Sequence, residues 1–162
     1  MLSRVAALCL ALVSLFAVSR SAEAAPVARP AASSSVQAML RLINADRAGA
    51  KLPPLRLGRR LASTAEAHSL DMARRDYFAH NTPNGVSPYD RMDRAGIQFR
   101  EAGENLGYAS GASLPRMLSL IENAMMHSPE HRDNLLRTTF SRVGIGIVVT
   151  GDTVYVTEDF KG

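Results

Sequence analysis

Residues 127–131 read His-Ser-Pro-Glu-His, and two histidines and a glutamate at this spacing match H-x-x-E-H, the zinc pattern of the inverted metalloproteases. In such sites two imidazoles one helical turn apart face the same way and hold the metal. The two residues between His127 and Glu130 decide whether that geometry is available. Proline costs roughly 3 kcal/mol inside a helix but is welcome at its first position. The spacing therefore predicts Ser128 as N-cap, Pro129 at N1, Glu130 at N2 and His131 at N3. Ser128 Oγ is then expected to accept from the N2 or N3 amide, and Glu130 suits the positive end of the helix. His127 falls before the cap and shares no helical face with His131. The glutamate further downstream, Glu158, lies in a β-rich run. The zinc-protease geometry is excluded, and only His131 stays a candidate.

The elements around it follow from periodicity and punctuation. Ser35 can open a helix whose apolar residues Val36, Met39, Leu40 and Ile43 fall on one face, with Gly49 and the Leu-Pro-Pro-Leu stretch at 52–55 ending it. A second helix is predicted from about Leu57 to Asp76, with Leu61, Ala65, His68 and Met72 on one stripe, where His68 is expected to be a satisfied core histidine. A turn cluster at 81–85 follows. Ser87 and Pro88 then suit the N-cap and N1 of a short helix to Arg94 that stops at Gly96. Residues 103–108 fit a loop or a short irregular strand. Ser113 opens a further helix through about Met126. Residues 143–150 and 153–160 are β-rich runs joined by Gly151-Asp152, a two-residue hairpin that takes glycine first. Gly144 and Gly146 within a strand predict close approach of another element. Helices followed by a hairpin imply an α+β fold, with helices packed on a small antiparallel sheet.

The chain has 162 residues, the size of one domain. Its start has the form of a secretory signal peptide: Arg4, the apolar run Val5–Val18, and Ala22-Glu23-Ala24 as the cleavage motif. That run is too short to cross a hydrocarbon layer about 30 Å thick as a helix. Cleavage near Ala24 or Ala25 would leave a secreted or periplasmic protein without a transmembrane segment, with a Pro/Ala/Ser-rich linker at 26–35 and a folded domain at 36–162. Cys9 is the only cysteine and sits inside the apolar run. The exported chain is thus expected to lack disulfides, cysteine nucleophiles and zinc–thiolate sites. The net charge of +4 is spread over scattered arginines, with Lys51 and Lys161 the only lysines, so nucleic acid is not an expected partner.

Four motifs then carry a resemblance. Tyr77-Phe78-Ala79-His80, Gly103-Glu104-Asn105-Leu106, residues Ser128 to Leu136, and Val143-Gly144-Ile145-Gly146 are, in this order and spacing, similar to the bacterial branch of the CAP superfamily (the SCP or PR-1-like domain) over about 36–160. The resemblance implies an α-β-α sandwich with a central antiparallel sheet and a surface cleft. It carries His80, Glu104 and His131 into that cleft as candidate catalytic or binding residues. Where eukaryotic members place a second glutamate, this register has Ser128, which leaves a triad with a serine. Met125 stands where bacterial members often have tryptophan, and Glu130 replaces the usual glycine.

Two imidazoles and a carboxylate at a cleft permit three functions. His80 and His131 could ligate a weakly held divalent metal such as zinc, with Glu104 as a ligand or as the group that orients one. Glu104 could orient a histidine as general base for a hydrolase of protease or esterase type. The third is binding without chemistry, the ligand being a lipid, a peptide or a cell-envelope component. The expectation adopted is a binding or interaction module, with hydrolysis as the alternative.

Overall fold

The computed structural model describes residues 26–162, and the expected signal peptide lies outside them. Short strand β1 (Arg29–Pro30) leads into helix α1 (Ser33–Gly49). Strand β2 (Arg56–Leu57) precedes α2 (Arg59–Arg75), and α3 (Pro88–Arg94) follows the turn cluster. Strand β3 (Ala102–Ser110), helices α4 (Leu114–His127) and α5 (Pro129–Leu135), and the hairpin β4 (Arg142–Thr150) and β5 (Thr153–Lys161) complete the domain. The sheet order is β1-β4-β5-β3 with antiparallel pairing, and β2 lies parallel to the start of β4. The ambiguous segment at 103–108 is a regular nine-residue strand. The 26–35 stretch, expected as a linker, adds Arg29–Pro30 to the edge of β4 and the first turn of α1.

Alternation along the strands divides the core. Val143, Ile145, Ile147, Val154, Val156 and Phe160 pack with Met39 and Ile43 of α1, Leu118 and Ile121 of α4, and Leu135 of α5. The opposite face receives α2. A Cβ on Gly144 would stand 2.1 Å from the Leu61 carbonyl carbon, and one on Gly146 would stand 2.2 Å from that of Ala65. Glycine at these two positions lets the helix backbone lie directly on β4, which accounts for the strand interruption seen in the sequence. Gly151 turns the hairpin at φ 57, the left-handed conformation a first-position glycine supplies.

Two local devices fix the segments that bear functional groups. Ser87 and Asp90 form a reciprocal capping box at the start of α3, Asp90 N–H donating to Ser87 Oγ at 3.2 Å and Ser87 N–H to Asp90 Oδ2 at 2.9 Å. Arg47 is buried near the end of α1, where its guanidinium donates to the carbonyls of Pro53 (2.9 Å), Leu135 (2.8 Å) and Arg137 (3.0 Å). One side chain thereby holds the end of α5 to α1.

Candidate functional site

Glu104 sits on β3, the strand at the sheet edge away from β1, with its side chain only 2% exposed. A carboxylate buried to this degree needs partners for both oxygens. His80 Nδ1–H donates to Oε1 at 2.8 Å, and Arg91 Nη2 donates to Oε2. Arg91 also donates to the carbonyl of His80 at 2.9 Å, so the same guanidinium holds both the acid and the backbone of its other partner. His68, buried on α2, donates from Nε2 to the carbonyl of Ala79 at 3.0 Å and steadies the segment just before His80. Burial holds the His68 imidazole below its usual pKa, in keeping with a neutral structural histidine. The His80 side chain remains 53% exposed, with Nε2 free among the described residues.

His131 approaches from the other face, on the first turn of α5 as the proline spacing predicts. Ser128 is the N-cap by backbone, but its hydroxyl makes no capping bond; its Oγ lies 2.8 Å from His131 Nδ1 instead. The expectation that the Ser128 oxygen is spent on a helix amide is thus corrected: its own helix presents an imidazole at N3, and the hydroxyl turns to that. Burial, then the nearby His80 charge, lower the His131 pKa, so the ring is neutral at neutral pH. Two asparagines bind the halves of the site together. Asn105, fully buried on β3, donates to the His131 carbonyl at 3.1 Å, while Asn134 on α5 donates to Asn105 Oδ1 at 3.0 Å and to the Glu104 carbonyl at 3.3 Å.

The four carried-over residues therefore assemble as two pairs, His80–Glu104 and Ser128–His131, on either side of β3. Among the described residues no three His, Cys, Asp or Glu side chains converge to hold a metal ion. Both Glu104 oxygens are engaged, one by His80 and the other by Arg91. His127, whose place was open, is exposed at the end of α4 and donates to the Asn123 carbonyl at 2.7 Å.

The sequence did not single out Arg91, nor the acids behind the site. Asp159, opposite Glu104 on β5, accepts from Thr64 Oγ1 at 2.9 Å, and burial and then Glu104 raise its pKa well above the carboxylate range. On the other face Glu158 and Glu122 are both buried, and burial raises the pKa of each. A glutamate inside β3 is a signal that a cation must be sought for Glu104, although nothing local points to Arg91.

An apolar groove of about 470 Å3 opens beside the site, walled by Leu106 and Tyr108 of β3, Ile121 and Met125 of α4, and Phe78, with Ser128 and His131 at one end. Phe78 and Tyr108 are 51% and 52% exposed and their ring centroids lie 6.0 Å apart.

The sequence matches the CAP family, described as the Cysteine-rich secretory protein family, over residues 40–160. It is 38% identical over 113 residues to the uncharacterized protein YkwD of Bacillus subtilis, covering 70% of this chain and 42% of that protein. It is 29% identical over 126 residues to the uncharacterized membrane protein YlbC of the same organism, covering 78% of this chain and 34% of YlbC. The chain thus spans well under half the length of these relatives. The crystal structure of an extracellular SCP-domain protein from Bacillus anthracis superposes with a TM-score of 0.66 at 30% identity, over 80% of this chain and 40% of that one. An outer surface protein from Borrelia burgdorferi shares the fold, with a TM-score of 0.70 at 21% identity, over 82% and 96% of the two chains. Motifs, fold and family match agree, and the chain belongs to the CAP family.

Proposed function

We propose that this chain is an exported CAP-domain binding module, whose cleft captures a ligand through the free edges of His80 and His131 and the apolar groove beside them. Export is supported by the signal-like start and by an extracellular relative, and no helix among the described residues is long and apolar enough to cross a membrane. The observation that carries the binding role is the commitment of Glu104. With one oxygen on His80, the other on Arg91 and only 2% of its side chain exposed, it is closed off from a water or a substrate hydroxyl. We extend the proposal to a weakly held divalent cation in the same cleft. Both imidazoles have Nδ1 engaged and Nε2 free, which gives two nitrogen ligands with water completing the shell. Such an ion, when present, would supply a positive centre for an anionic ligand.

Hydrolysis is the second reading, favoured by one contact: Ser128 Oγ at 2.8 Å from a neutral His131 Nδ1, at the mouth of an apolar groove. A screen on peptides, esters and cell-wall fragments with wild type, Ser128→Ala and Glu104→Gln separates the two. The binding role predicts no turnover in any of the three. Turnover by wild type that Ser128→Ala abolishes would overturn it.

A further inference from the structure

The bonds at the two ends of β3 fix which way its backbone points. Glu101 O accepts from Gly162 N–H at 3.0 Å, and Gly111 N–H donates to Asp152 O at 3.2 Å, both across the β5 side. Residues of an antiparallel strand alternate between facing one neighbour and the other. The odd-numbered residues of β3 therefore bond to β5. The even-numbered ones, among them Glu104, Leu106 and Tyr108, direct N–H and C=O to the open edge. At Glu104 this edge is already used, its carbonyl accepting from Asn134. Among the described residues Leu106 and Tyr108 have no such partner, and both line the apolar groove. An open strand edge in a groove is a template for an added strand. At the Glu104 end of the groove stands His131, while Arg91 pairs with the Glu104 carboxylate behind it. When the Ser128 hydroxyl donates to His131 Nδ1, the ring proton sits on Nε2 and can donate to an anion at that end.

We infer that the groove takes the carboxyl-terminal residues of an extended peptide. The peptide would add as a strand antiparallel to β3, bonding Leu106 and Tyr108, with its terminal carboxylate at His131. Its side chains would alternate between Phe78 with Tyr108 and the α4 wall of Ile121 and Met125. A fatty acid shares the carboxylate and the apolar chain but leaves the strand edge unpaired, so the backbone groups favour the peptide. This assignment rests on the cleft being a binding site, and names its ligand.

The test uses the 15N-labelled protein in the presence of EDTA, so that failure of the cation site would not alter the outcome. Three pools of acetylated tetrapeptides, varied at the last two positions, are titrated: free acids, carboxyl amides, and free acids N-methylated at every backbone amide. Free acids should bind and slow hydrogen exchange at the Leu106 and Tyr108 amides. The amides should bind at least tenfold more weakly, and the N-methylated pool should give no such protection. Equal affinity of acids and amides overturns the assignment, as does absence of binding in all pools. So does saturation by laurate that no peptide displaces.

Discussion

His80 Nδ1 and Glu104 Oε1 lie 2.8 Å apart across 24 residues of sequence, and the carboxylate that joins them is almost fully buried while the imidazole is half open to solvent. The acid is a fixed post and the histidine is the group it aims. Replacing Glu104 by Gln keeps the shape and removes the charge shared with Arg91. Hydrogen bonds to charged groups contribute roughly 1.5–3 kcal/mol, so Glu104→Gln should lose about 2 kcal/mol in urea unfolding. It should also weaken any cation held at the cleft roughly tenfold or more, as loss of an orienting partner does.

Ser128→Ala separates a helix cap from a histidine partner. Removing a capping hydroxyl costs about 1 kcal/mol, but here the hydroxyl is turned to His131. The expected stability loss is well below that figure, accompanied by a changed 15N signature of the His131 ring. A full capping loss with an unchanged ring would show that the hydroxyl caps α5 in solution.

Two glycines give opposite expectations. A Cβ at Gly146 would collide with the α2 backbone at Ala65 and Glu66, whereas one at Gly49 meets nothing within 4 Å. Gly146→Ala should destabilise by about 3 kcal/mol or prevent folding, since the neighbour is main chain and cannot swing aside. Gly49→Ala, at the end of α1, should stabilise by about 0.5 kcal/mol by narrowing the unfolded ensemble. Thermal unfolding of both reads the contrast.

Glu122 on α4 and Glu158 on β5 are buried together, with Asp46 beside Glu122, and among the described residues neither Glu122 oxygen has a well-formed hydrogen bond. Burial first, and then each other's proximity for Glu122, raise their pKa above the ordinary value of 4.5. In the folded protein they keep protons that the unfolded chain has already lost. The folded state thus binds more protons, and stability falls as pH rises from about 4.5 into the alkaline range, by at most about 1.4 kcal/mol per pH unit for each group. Glu122→Gln should flatten that decline between about pH 5 and about pH 8. An equal slope in variant and wild type would show that Glu122 is ionised in the folded state.

Much of this architecture is written locally. Ser87-Pro88, Ser128-Pro129 and Gly151-Asp152 set element boundaries through backbone chemistry that needs no tertiary context, and Gly144 and Gly146 announced the α2 contact. The regular β3 was harder to see, because its buried centre mixes Glu104 and Asn105 with two glycines, residues that strands alone disfavour. They are tolerated there because Arg91, Asn134 and the closeness of α4 supply what the local sequence lacks. His80, Glu104 and His131 were legible only through their family motifs. Arg91, which completes the site, was not, since its role arises from where α3 docks and not from its own neighbours. The direction of the Ser128 hydroxyl was likewise a choice between two acceptable partners that sequence alone leaves balanced.

In the proposed site His80 and His131 present the ligand-facing atoms of the cleft while Glu104 stays behind them. Zinc is the simplest probe of two free imidazole nitrogens. Calorimetric titration of the wild type should give weak binding that disappears in both His80→Ala and His131→Ala, with circular dichroism confirming that each variant is folded. Equal heats in wild type and both variants would contradict this arrangement and move the ligand site elsewhere.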